Sequence, residues 1–288
     1  MVQQYRALVS GLGAILAFGL TLPVTRFVAV ELDPWLIGWG RAAVAGWVAA
    51  VILGLFRISI PSSAERRQLW VVTSGVVLGF PLLSAGAMHM LPASHGGVVL
   101  GILPLLTAVA GKYVAGEQPS SSFWWVSLAG GVLLLLYLFP SKGLQLHAGD
   151  SLLLLAAIAA AVGYAFGGKL SQKRPGWQVI CWALVFALPL TVPVFLWHLP
   201  GALQTAQFES WLGFLYLSLV SQLTGFFLWY YGLGLGGIAR VGQLQLLQPF
   251  VTLGAAWFWL EEPIPPRTVT YACLIVVIVL ISQKLDRP

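Results

Sequence analysis

Three glutamines, Gln243, Gln245 and Gln248, interrupt an otherwise apolar stretch that runs into Pro249. A carboxamide carries two N–H donors and a carbonyl acceptor on one side chain. Away from water such groups either bond a neighbouring helix or hold the polar end of a solute. Gln245 and Gln248 are three residues apart and so share a helix face; for this pair both readings stay open. Gln222 and Thr224 lie in a second apolar stretch that continues through Trp229, Tyr230 and Tyr231, and Tyr164 and Thr21 supply hydroxyls in two more. Amides can bond a carboxylate or an amino group, and aromatic faces can stack on a ring or hold a cation. The substrate-binding candidates are therefore Gln245, Gln248, Gln222, Tyr164, Tyr230, Trp229, Gln243 and Thr21, with Thr21 read first as an interhelical bond.

A second group of residues suits gating or structure. His89 and His95 flank a short break between apolar stretches, where an imidazole can gate or exchange protons, although a solvated interfacial histidine is the favoured reading. Arg41 is expected to snorkel to the interface or to pair with Glu31 or Asp33. Pro104 and Pro249 each remove a helix hydrogen bond, and Glu117 and Glu262 sit where helix ends need capping. The centres of the apolar stretches hold no Asp or Glu, which weakens a cation exporter and favours a neutral, zwitterionic or amphipathic substrate. HExxH, GxSxG and the phosphate-binding GxxxxGK[ST] are absent, so the chain is not expected to be an enzyme or to need a cofactor or metal. Cys181 and Cys273 read as small apolar residues rather than a disulfide or metal pair.

The elements that must position these residues are membrane helices. Hydrophobic residues make up 59% of the 288 and charged residues only 8%, against about 25% charged in soluble domains. Lipid is therefore the expected surroundings. The net charge of +6 comes from scattered single residues rather than a basic stripe, which argues against nucleic acid as a partner. A helix needs about 20 residues to cross the hydrocarbon core. On that length, ten spans are expected at roughly 8–29, 34–56, 69–90, 94–115, 123–140, 149–170, 177–197, 211–233, 238–260 and 267–285. The first is read as a retained span, not a cleaved leader. Turn-forming residues mark the breaks, among them Asp33-Pro34, Pro61-Ser62-Ser63, Pro119-Ser120-Ser121, Pro140-Ser141-Lys142-Gly143 and Pro200-Gly201; the shortest are Leu91-Pro92-Ala93 and Gly234 to Gly237. With the N-terminus in the cytoplasm, only Arg26, Arg41, Lys142 and Arg267 of the 15 basic residues fall outside, so both termini are expected to be cytoplasmic. Trp35, Trp70, Trp197 and Trp211 fall near span ends, as interfacial anchors do.

The sequence also matches itself. Gly97 aligns with Gly242, Pro104 with Pro249 and Glu117 with Glu262, all at an offset of 145. Five helices per copy, an odd number, would insert the second copy upside down, as in secondary transporters with inverted repeats and a midplane site. Two units are expected, 1–142 and 143–288, around a central cavity. Pro104 with Gly116-Glu117, its echo Pro249 with Glu261-Glu262, and Asp33-Pro34-Trp35 followed by Arg41 resemble the EamA family of the drug/metabolite transporter superfamily. The second copy departs from the pattern with Glu261 in place of Gly. The resemblance implies export of a small organic solute, such as an amino acid, an aromatic compound or another metabolite, from the bacterial inner membrane, and the aromatic amino-acid exporter branch is a plausible relative. The alternatives are a multidrug or cationic-compound exporter and, more weakly, an intramembrane enzyme or a membrane scaffold. One chain holds both repeats, so a monomer suffices; proton coupling stays open.

Overall fold

The computed structural model describes residues 2–118, 120–138 and 147–285, and these residues form helices and connecting turns without a strand. The helices are α1 (Val2–Val28), α2 (Pro34–Leu55), α3 (Ser63–Met90), α4 (Ala93–Ala115), α5 (Ser121–Leu138), α6 (Ala148–Ser171), α7 (Gly176–Thr205), α8 (Phe208–Gly236), α9 (238–259) and α10 (Pro266–Leu285). Among the described residues, seven of them, α1 to α4 and α6 to α8, are long and apolar enough to cross a membrane. In α9 the glutamines and Arg240 dilute the apolar run. The expected break at Pro140 to Gly143, the boundary between 142 and 143, and Pro119 lie outside the described residues.

Three helix ends differ from the sequence expectation. α1 begins at Val2, earlier than about 8, because hydropathy misses an opening stretch that holds Gln3, Gln4 and Arg6. α3 begins at Ser63, earlier than about 69, because Ser62 and Glu65 form a capping box: Ser62 N donates to Glu65 Oε2 at 2.8 Å and Glu65 N to Ser62 Oγ at 3.4 Å. Hydropathy misses this turn because its Glu65, Arg66 and Arg67 are hydrophilic. α7 runs through Pro200-Gly201 to Thr205 instead of ending there. A proline fits helical φ and forfeits only its own N–H bond, and near a helix end the freed carbonyl has few constraints. The two shortest breaks are real turns, at Leu91–Pro92 and at Gly237, whose φ of +86° favours glycine.

Prolines inside the bundle set local geometry, and the carbonyls freed at Pro23, Pro81, Pro104 and Pro249 find donors. Pro23 cannot bond Gly19 O, and the Thr252 hydroxyl of α9 donates to that oxygen at 2.7 Å. Pro104 and Pro249 are each preceded by a 3₁₀ turn, Leu100–Ile102 and Gln243–Leu247. Through these turns Leu103 N takes Leu100 O, and Gln248 N takes Gln245 O. Residues Thr73–Gly79 of α3 and Tyr216–Thr224 of α8 are π-helical. Phe80 N bonds Gly75 O in that register. The next bond, from residue 81 to Val76 O, cannot form because residue 81 is proline, and Gln222 Nε2 donates to Val76 O at 3.0 Å instead.

Helices α4 and α9 clasp one another reciprocally. Glu117, just beyond α4, accepts from Ile238 N and Ala239 N at 2.6 and 2.7 Å. Glu262, just beyond α9, accepts from Ala93 N and Ser94 N at 2.9 Å each. Each carboxylate thus caps the other helix's N-terminus, where unpaired N–H groups and the helix dipole favour an anion. The two helices run antiparallel. Gly97 lies against Thr252 and Gly242 against Thr107, so the middle of the contact is reciprocal too. Further pairs are α2 with α7, α5 with α10, α1 with α8 and α3 with α6. The α3–α6 contact is backbone on backbone: a Cβ on Gly75 would fall on the Ala159 carbonyl oxygen and beside Gly163. Trp35, Trp70, Trp125 and Trp197 face outward, as do Leu16, Trp47, Val51 and Leu55.

Candidate functional site

A small enclosed cavity lies at the centre, lined by Phe18 and Thr21 of α1, Arg41 of α2, Phe80 of α3, Tyr164 of α6, Ser221, Gln222 and Phe226 of α8, and Gln248 of α9. Its volume of about 10 Å³ is room for roughly one water. The side chains close over the site rather than leaving an open channel.

Arg41 dominates the polar side of this cavity. It is 1% exposed and lies about 10 Å along α2 from its start, by helical rise. The expectation that it snorkels or pairs with Glu31 or Asp33 is corrected. Arg41 is buried, as are Ile37, Gly38 and Ala45, whereas Trp35, Trp47, Val51 and Leu55 of the same helix face outward. Its Nη2 donates to Ser221 Oγ at 2.9 Å, and Ser221 Oγ also bonds Thr21 Oγ1 at 2.8 Å. Nε has no partner. Glu31 is engaged instead by Gln207 N (2.9 Å) and Ser210 Oγ (2.7 Å), which hold its carboxyl below the ordinary value. Asp33 caps α2 through Trp35 N at 2.7 Å.

Of the other sequence candidates, Gln222, Gln248, Tyr164 and Thr21 line the cavity. Gln222 Oε1 is buried and has no partner. Trp229, fully buried, packs edge-on to Tyr164 (5.4 Å between centroids) and Phe18 (6.0 Å). Tyr230 lies behind this wall: its hydroxyl donates to Gly163 O at 3.1 Å, and its ring occupies the space that a side chain at Gly167 would need. Gln243 and Gln245 are buried in the 3₁₀ turn and do not line the cavity, although Gln248 does. Gln245 Nε2 reaches Thr107 Oγ1 of α4 at 3.3 Å, and its Oε1 has no partner.

These observations describe a helical bundle with a closed polar centre, and comparison gives it a family. The EamA-like transporter family matches residues 147–283. An uncharacterized transporter of Bacillus subtilis, YdeK, is 41% identical over 256 residues, covering 89% of each chain. The chain belongs to the EamA-like transporter family. This EamA-like protein is a multi-pass membrane transporter of small solutes within the drug/metabolite transporter superfamily. It is also similar to a probable terminal-alkyne amino-acid exporter of Streptantibioticus cattleyicolor, 24% identical over 254 residues, covering 85% of this chain and 82% of that one. A solved crystal structure shares the fold with a TM-score of 0.66 at 20% identity, covering 98% of this chain and 99% of that one.

Outside the centre, the EamA-like chain holds one more buried charge among the described residues. Asp150, 1% exposed at the start of α6, meets His95 Nε2 at 2.6 Å and His147 N at 3.0 Å. His95 is therefore hydrogen-bonded to Asp150 rather than a solvated interfacial side chain. His89 is exposed at the end of α3, where Arg26 Nη1 donates to Met88 O at 2.7 Å. Cys181 is buried and Cys273 faces outward. Sequence reasoning missed Ser221, Phe18, Phe80 and Phe226 as cavity residues and Asp150 as a buried group. The small residues around Arg41, Gly38, Gly40, Ala42 and Ala43, were the signal that its helix face packs against protein.

Proposed function

We propose that this protein is a ten-span secondary transporter of two inverted five-helix repeats, 1–142 and 143–288, exporting an amino acid or similar amphipathic metabolite by alternating access. The observation that carries this reading is the reciprocal α4–α9 clasp. Glu117 and Glu262 make equivalent bonds in opposite directions, and their residues sit at the same offset of 145 as the Gly97·Thr252 and Gly242·Thr107 contacts. A pseudo-two-fold axis also pairs α2 with α7 and α5 with α10, and exchanges the α1–α8 contact with the α3–α6 contact. The π segments fit the same offset. Two related halves that can swap conformations suit alternating access, and a central cavity with room for about one water suits a state between the two openings.

In this reading Gln222, Gln248, Tyr164 and Thr21 meet the substrate, Trp229 and Tyr230 back the aromatic wall, and Gln243 and Gln245 act through the α4–α9 seam. Pro104 and Pro249 shape that seam, with Glu117 and Glu262 as its end clasps. His95 with Asp150, and His89 nearby, are the groups through which protons would couple. The transporter sits in the bacterial inner membrane with both termini cytoplasmic and works as a monomer. The name of the relative from S. cattleyicolor supports amino acids as the cargo class. Uptake of radiolabelled aromatic and aliphatic amino acids into proteoliposomes, with and without a pH gradient, tests this: saturable uptake of one class supports it. Absence of uptake for every amino acid by folded protein overturns the amino-acid assignment.

A further inference from the structure

We propose that Arg41 is the anchor for a carboxylate of the cargo, and that Arg41 and Gln222 together make the central cavity select zwitterions over cations. This rests on the transporter reading above. Arg41 is buried, and among the described residues no acidic side chain pairs with it; the other buried charge, Asp150, is taken by His95 and His147 N. A guanidinium carries five donors in a planar fork that matches a carboxylate. Here one hydroxyl, Ser221 Oγ, serves it, and Nε is unserved. A cation held this way in a membrane protein is costly unless something completes it. Ser221 already shares a bond with Thr21 Oγ1, so it keeps a partner when a carboxylate takes its place on Arg41.

The opposite end of a zwitterion is met in the same cavity. Gln222 spends its Nε2 on the Val76 carbonyl, which fixes the amide and leaves Oε1 buried without a donor. An orphan acceptor of this kind suits an ammonium group. Phe18, Phe80, Tyr164 and Phe226 supply an apolar wall for the rest of the cargo. A purely cationic solute would meet Arg41 with like charge and leave its fork unfilled. The geometry therefore assigns opposite chemical ends to two residues on different helices, α2 and α8.

The test uses the purified full-length chain in proteoliposomes, with uptake of radiolabelled L-phenylalanine and of 3-phenylpropionate. L-phenylalaninamide and phenethylamine serve as competitors, and thermal unfolding in detergent is followed with the same four compounds. The expected result is saturable phenylalanine uptake, with both carboxylate-free analogues competing at least about tenfold more weakly. Loss of a charge-assisted pair predicts that Arg41→Gln raises KM about 10- to 100-fold, while Arg41→Lys, which keeps charge but not the fork, falls between. Equal competition by the amide, or an unchanged KM in Arg41→Gln, overturns the assignment. If Arg41→Gln does not fold, the wild-type competition series decides alone. Uptake of 3-phenylpropionate without phenylalanine would overturn the amino-acid reading and leave the Arg41 assignment standing. Neither uptake of, nor stabilisation by, either carboxylate overturns both.

Discussion

Charge is handled in opposite ways at the ends and at the centre of this molecule. At the ends of α4 and α9, Glu117 and Glu262 each receive two backbone N–H donors and leave nothing wanting. At the centre, Arg41 receives one hydroxyl, and both its Nε and the Gln222 carbonyl beside the same cavity go unmatched. The complete pairs of Glu117 and Glu262 join two helices, whereas the incomplete groups of Arg41 and Gln222 belong to residues that line the cavity. Other buried atoms without a partner, such as Gln245 Oε1, lie away from it.

Removing a member of each kind should therefore have opposite effects. The largest effect is expected for Glu117→Ala or Glu262→Ala. Each strands two helix-end donors and should lower unfolding stability by about 2–3 kcal/mol, read as a fall in the thermal midpoint in detergent. A stability equal to wild type would mean that the clasp is incidental. Arg41→Met should do the reverse, leaving stability equal or raising it by about 1 kcal/mol while abolishing transport, because an uncompensated buried charge is replaced by an apolar chain of similar length. A large loss of stability there would show that Arg41 holds the bundle together.

The two clasps also differ from each other. Gly116 ends α4 with φ of +74°, and its counterpart Glu261 takes φ of +52° with a side chain. Glu261→Gly should stabilise by about 0.5–1 kcal/mol and Gly116→Ala should destabilise by a similar amount, measured by the same thermal unfolding. The smallest effect is expected at Glu31, whose bonds from Gln207 N and Ser210 Oγ lower its folded-state pKa. A depressed carboxyl contributes fully above its unfolded value near 4.5 and loses that contribution as pH falls through the lower folded value. Glu31→Gln should thus be less stable than wild type at neutral pH, with the gap closing in acid.

Much of the architecture was legible because apolar length and turn residues are one-dimensional signals. The helix spacing, the hairpins at Leu91–Pro92 and Gly237, and the 145-residue match needed no contacts. The start of α3 was missed because its first turn lies among hydrophilic residues, and the end of α7 because proline does not always stop a helix. The site was only half legible. Gln222 and Tyr164 stood out as polar groups at membrane depth, yet which glutamine of α9 faces the cavity depends on a 3₁₀ turn that helical spacing does not anticipate. Arg41 was seen but expected to snorkel or to pair with Glu31 or Asp33, since its burial is set by neighbours distant in sequence, Ser221 among them.

The closed cavity has a consequence for speed. With room for about one water, the centre admits no file of solutes; under the alternating-access mechanism proposed above, each cargo molecule waits for helices to part and close again. Flux then behaves like a turnstile's: it rises with concentration only until the helices are moving as fast as they can, and beyond that point more cargo produces a longer queue.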